Sequence, residues 1–168
     1  TNWAIFLQNA IDFNPLPFVM GQKGAAQCLK SNPKKISKFI IIPRESGMFK
    51  GQKPILIDAP KGFVFHHVNA YEKNSQIILD SIFYDDFPSV GPDENFRDID
   101  FEKYPEGKLK RSIIDLNNQT SEVKTLSEQC CEFAMVNPNR LGLKATFSWM
   151  ACTDRMKGER STSGDKKN

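Results

Sequence analysis

No apolar stretch in this chain runs longer than a β-strand before a proline, a glycine or a cluster of polar turn residues cuts it. Such punctuation argues against long helices and leaves short paired strands as the main building block. The opening run Trp3-Ala4-Ile5-Phe6-Leu7-Gln8 reads as a buried strand, as do Phe39-Ile40-Ile41-Ile42, stopped by Pro43, and Ile55-Leu56-Ile57-Asp58. Pro15 and Pro17 exclude a central strand in the polar run 12–17. Residues 18–29 have room for a short helix, weakened by Gly21 and Gly24. Residues 63–72 and 76–84 form a hairpin across Lys73-Asn74-Ser75, and residues 109–116 and 122–126 form another across 117–120. The last strand is expected over 145–152. Between the hairpins, residues 85–107 turn acidic and rich in Pro, Gly and Asp, with Phe87, Phe96 and Phe101 spaced through them. A loop of this length, packed down by its aromatics, is usually functional or interfacial.

The fold class that follows is all-β, a sandwich or propeller, with a short helical or loop insertion. The hairpins recur at blade-like separations, although no internal repeat stands out. The chain opens on Thr1 in a strand-like segment, and several apolar strands would lack partners if it stood alone, so it is expected to be a piece of a longer protein. One domain is expected over 1–152. Residues 153–168, Lys, Arg, Ser and Gly with almost nothing apolar, are expected to form a disordered basic tail.

Composition matters where it excludes partners. The net charge of +3 over 168 residues, with 26% charged, is too small and dispersed to argue for nucleic acid. The lysines at 34, 35 and 38 read as a solvated turn. No apolar run approaches the ~20 residues that span a bilayer. Cys28, Cys130, Cys131 and Cys152 show neither zinc-site spacing nor a disulfide framework, so ordinary thiols in a reducing compartment are the simpler reading.

Chemistry concentrates in Gly62-Phe63-Val64-Phe65-His66-His67-Val68-Asn69-Ala70-Tyr71-Glu72, which holds both histidines of the chain. Aromatic and β-branched residues make it a half-buried strand, and a buried imidazole needs a hydrogen-bond partner or a metal. Neighbouring side chains in a strand point to opposite faces, so His66 and His67 cannot both reach one site without a bulge. On chemistry alone the pair is either hydrogen-bonded structure or a metal or proton-transfer site, and one ring is expected to be structural. Farther on, Cys130-Cys131-Glu132-Phe133-Ala134-Met135-Val136 is an apolar run with a single carboxylate, which is expensive to bury unless paired.

These residues resemble a known family. Phe63-Val64-Phe65-His66-His67-Val68-Asn69-Ala70-Tyr71-Glu72, then Asp80, then Cys131-Glu132-Phe133 with Asn137-Pro138, is similar to the carotenoid cleavage oxygenases, particularly the bacterial and cyanobacterial apocarotenoid type. Phe6-Leu7-Gln8-Asn9, Phe13-Asn14-Pro15-Leu16-Pro17-Phe18 and Ile40-Ile41-Ile42-Pro43-Arg44 look like the same group, so the resemblance covers residues 1 to about 152. It implies two to three blades of a seven-bladed β-propeller with non-haem Fe2+ on its axis, held by four histidines. Carried over by position, His66 looks like one iron ligand, His67 like a neighbour that does not ligate, and Glu132 like the acid that accepts from the far nitrogen of His66. Phe65 looks like a wall of the substrate tunnel, with the loop from Asp85 shaping its mouth. Ala134 departs from a proline common in the family at that place, and the tail from Thr153 does not look like the family's continuation, as premature termination or a frameshift would produce.

The implied activity is that of a dioxygenase cleaving a C=C bond of a carotenoid or apocarotenoid with O2, although one branch of the family isomerises retinyl esters instead. A cytoplasmic location, with peripheral membrane contact by the full-length protein, is implied by the same resemblance. The isolated fragment is expected to be inactive, since it holds one of the four histidines. The alternative is a noncatalytic propeller segment that binds an apolar ligand or another protein, with both histidines structural.

Overall fold

Strand β7 (Gln76–Tyr84) is buried along both faces and contributes side chains to both halves of the core. The computed structural model describes residues 1–88 and 104–153. On one side β7 pairs with β6 (Phe63–Lys73), turning at Asn74, which sits in the left-handed region at φ 55°. On the other it pairs with β8 (Lys108–Asp115), followed by β9 (Thr120–Met135) and β10 (Trp149–Thr153). The result is a five-stranded antiparallel meander in the order β10-β9-β8-β7-β6. A second sheet joins β1 (Trp3–Gln8), β4 (Lys38–Pro43) and β5 (Ile55–Asp58) in the order β1-β4-β5.

Alternation along β7 divides the core in two. Ile77 and Leu79 face the three-stranded sheet and pack with Trp3, Phe39, Ile41, Ile57 and Ile114. Ile82 and Tyr84 face the other way and pack with Val68, Cys131 and Val136. Ile82 is fully buried, and truncating such a side chain to alanine costs about 2–5 kcal/mol. The meander curls enough to bring β9 against β6, although two strands lie between them in the sheet.

Four details depart from expectation. A ribbon of β2 (Ile11–Phe13) and β3 (Leu29–Ser31) was hidden by the proline-rich run, because the strand ends before Pro15. The helix expected over 18–29 is instead α1 (Leu16–Val19) plus a 3-10 turn at Ala26–Cys28. Gly21 (φ 69°) ends α1 in a conformation that favours glycine. The segments 122–126 and 130–136, read as separate, join in the 16-residue β9, which ends at Met135. From Lys110↔Thr125 to Lys108↔Cys130, β9 advances five residues against two, and this irregularity interrupts the alternation. Finally, β10 begins at Trp149 rather than 145. Phe96, Phe101 and the tail from Asp154 lie outside the described residues.

Candidate metal centre

Two bulges in β6 flank His67. The register passes from Val64↔Phe83 to His67↔Ser81, three residues against two, and then to Asn69↔Asp80, two against one. Bulges of this kind re-aim side chains and are frequent beside functional sites. The rings still part company. His67 bonds Ser81, on the β7 face that carries Leu79, whereas His66 reaches the opposite face, where Tyr84 lies.

On that second face the His66 Nδ1 stands 2.6 Å from Glu132 Oε2. Tyr84 donates its hydroxyl to Glu132 Oε1 at 2.8 Å, and the Phe133 backbone N–H donates to Oε2 at 2.7 Å. Three hydrogen bonds converging on one carboxyl suit an acceptor-only carboxylate, so His66 Nδ1 carries a hydrogen and Nε2 is the nitrogen left to donate a lone pair to a metal. The His66 side chain is 49% exposed and Glu132 20%, which puts the acid inside and the ring at an accessible edge. Burial, reinforced by the Glu132 carboxylate, pushes the Tyr84 phenol well above its ordinary pKa and keeps it a donor. Phe65 and Phe133 flank the imidazole, with ring centroids 6.4 and 5.7 Å away.

Local backbone geometry supports this arrangement. Phe133 adopts φ 54°, an outlier for a bulky residue, at a bulge where Met135↔Trp149 and Glu132↔Ala151 span three residues of β9 against two of β10. Gly107 passes so close to Tyr84 that a Cβ there would lie 2.9 Å from the ring and 2.7 Å from the Cys131 carbonyl oxygen. A side chain at 107 would displace either the phenol or the strand that carries Glu132.

The other face is a different environment. His67 Nδ1 lies 2.7 Å from Ser81 Oγ, and Ser81 is fully buried. Part of His67 reaches solvent, yet desolvation, with His66 as a second cause, lowers its pKa and keeps the ring neutral. A hydroxyl both donates and accepts, so Ser81 does not select a tautomer as a carboxylate does. Other polar residues of this stretch and of β7 build scaffold. Asn69 donates to the Leu143 carbonyl at 2.8 Å and accepts from the Gly142 N–H at 3.0 Å, pinning the loop before β10. Glu72 binds the backbone and side chain of Asn2, and Asp80 holds Arg111 bidentately at 2.7 and 2.8 Å.

Among the described residues no group of three or more His, Cys, Asp or Glu side chains could hold a metal ion. The donor chemistry fits one coordination position, His66 Nε2. The family model for "Retinal pigment epithelial membrane protein", RPE65, matches residues 1–165. The chain belongs to the RPE65/carotenoid oxygenase family. Within this carotenoid oxygenase family, the apocarotenoid-15,15'-oxygenase of Synechocystis sp. is 38% identical over 157 residues, 94% of this chain and 31% of that relative. Two solved structures, cobalt-substituted Synechocystis ACO and an ACO/RPE65 chimera, are each 38% identical with TM-scores of 0.82 and 0.81, and each match covers 90% of this chain and 30% of theirs. The curled meander and its neighbouring sheet are thus a fragment of a β-propeller.

The structure therefore brings His66, Glu132 and Phe65 together and leaves His67 on the far face. Sequence reasoning missed Tyr84 and Phe133. A tyrosine ending a buried strand signals that its hydroxyl needs a partner, but the identity of that partner depends on the curl of the sheet. Nothing in the sequence marks the positive φ of Phe133.

Proposed function

We propose that this chain is the segment of a carotenoid or apocarotenoid cleavage oxygenase that contributes one imidazole, His66, to a non-haem iron(II) centre of four histidines. The observation that carries the reading is the 2.6 Å contact from His66 Nδ1 to a Glu132 already held by Tyr84 and Phe133, which leaves Nε2 as the donor. Glu132 fixes the tautomer and orientation of the ring. The cobalt substitution named for one solved relative supports a metal centre in that frame. Iron(II), when bound, supplies activation of O2 for cleavage of a conjugated double bond into two carbonyl products.

The chain's own share is orientation and exclusion of water. Phe65 packs edge-on against Phe63 at 4.5 Å and Tyr84 at 5.6 Å, and Phe63 meets Phe87 at 4.9 Å. This aromatic row runs from the Asp85 loop, beside a cleft of about 220 Å³, towards His66, as a wall for a flat polyene requires. Such a substrate is lipid-soluble, which calls for peripheral contact of the complete protein with a membrane from the cytoplasmic side. No helix among the described residues is long and apolar enough to cross one.

The test is a graft of residues 1–153 into the matching place of the Synechocystis oxygenase, assayed for iron by elemental analysis and for apocarotenoid cleavage by chromatography of the carbonyl products. One iron per chain with turnover is expected in the graft, and neither in the isolated 168-residue chain. A folded graft without iron or products would favour the noncatalytic module instead.

A further inference from the structure

Cys131 in β9 and Cys152 in β10 stand directly opposite each other in the antiparallel ladder. The Cys131 N–H donates to the Gly107 carbonyl at 2.8 Å, on the side away from β10. Because a strand residue turns its N–H and C=O the same way, Cys131 and Cys152 form a non-hydrogen-bonded pair. Side chains approach most closely at such pairs, with Cα atoms about 4.5 Å apart. That spacing falls within the range of roughly 4.4–6.8 Å that a disulfide bridges. Both thiols are free; Cys131 is buried in the core beside Ile82 and Tyr84, and Cys152 is exposed. Cys130 points to the other face and opposes Thr153, while Cys28 lies next to the β2–β3 ribbon.

We propose that Cys131 and Cys152 are an oxidation site that closes to a reversible cross-strand disulfide, tying β10 to the strand that carries Glu132. The inference does not depend on the iron reading. The oxidant class is a hydroperoxide. The exposed Cys152 reacts first: its thiol gives up a proton, the thiolate attacks one peroxide oxygen, the O–O bond breaks, and the departing hydroxide takes up that proton as water, leaving a sulfenic acid. Cys131 sulfur then attacks the Cys152 sulfur, the S–O bond breaks, and the departing hydroxide takes the Cys131 proton as a second water. Two thiols lose two electrons and one peroxide gains them. Burial pushes the Cys131 thiol up to about 11, which suits it to the second step rather than the first. In a reducing compartment the pair is open at rest, and an accessible cross-strand bond is readily reduced again.

The experiment treats the folded 168-residue chain with hydrogen peroxide, blocks remaining thiols, and maps the products by peptide mass spectrometry, with fragmentation between residues 130 and 131 to assign the linked sulfur. A Cys131–Cys152 link that dithiothreitol reverses is expected, retained in Cys130→Ser and absent in Cys152→Ser. A link from Cys130, intermolecular dimers through Cys152 alone, or no link in a chain whose circular dichroism remains that of the folded protein would each overturn the proposal.

Discussion

His66 and His67 are neighbours in the chain, yet they occupy opposite faces of β6 and have opposite chemistry. His66 faces a carboxylate held by two other donors, so its Nδ1 carries a hydrogen, and its ring is half-exposed. His67 faces a hydroxyl that accepts either tautomer, and desolvation keeps it neutral. In a strand the hydrogen-bond partner, more than the residue type, decides whether an imidazole has its tautomer imposed by a carboxylate or left open by a hydroxyl. In the graft, His66→Ala should reduce iron affinity by more than the roughly 10–100-fold that loss of an outer partner causes. His67→Ala should leave iron in place and lower stability by about 1–3 kcal/mol, because it orphans the buried Ser81 hydroxyl. Elemental analysis and thermal melts read both, and equal iron loss in the two variants would break the comparison.

Glu132→Gln sharpens it. The amide preserves shape but presents either an oxygen or an NH2 to Nδ1, so the tautomer is no longer imposed. Iron affinity should fall about 10–100-fold while the fold survives. An unchanged affinity by metal titration would mean that the contact with His66 is incidental.

Tyr84→Phe is the next smaller change. It removes one hydrogen bond to a charged acceptor, worth about 1.5–3 kcal/mol, without touching the imidazole. The phenol also predicts a pH dependence. Its pKa is raised in the folded state, so the native protein binds the proton more tightly than the unfolded chain. The associated stability is present below the unfolded value near 10 and is lost as pH rises towards the folded value. Denaturant titrations from pH 9 to 12 should show wild type losing stability more steeply than Tyr84→Phe, and parallel curves would remove Tyr84 from the account.

Much of this frame was legible in the sequence because it rests on period and punctuation. The strands at 3–8, 55–58 and 76–84 carry dense β-branched and aromatic residues bounded by turn chemistry, and they form where expected. The cost of burying Glu132 announced a partner, and alternation placed the two histidines apart. What stayed hidden depends on tertiary geometry. The β6 bulges and the continuity of β9 through residues 126–129 are register events, set by pairing with β7 and β8. Tyr84 reaches Glu132 only because the sheet curls, and Asn69 earns its place by holding a loop 70-odd positions away in sequence.

The smallest effect concerns Phe133. Its backbone N–H donates to Glu132 Oε2 while its φ is 54°, and for a residue with a Cβ the left-handed conformation costs roughly 1–2 kcal/mol. Its side chain is 70% exposed, so little burial is lost on truncation. Phe133→Gly relieves the left-handed penalty but adds unfolded-state entropy of about 0.5–1 kcal/mol, and the two nearly offset. Stability should therefore change by less than about 1 kcal/mol. Phe133→Val keeps that penalty and adds the strain of a branched Cβ, so after the same entropy offset it should be less stable than Phe133→Gly by about 1 kcal/mol. If denaturation midpoints ranked valine above glycine, the turn after Glu132 would not hold the strained geometry, and the second donor to the carboxylate would have to be sought elsewhere.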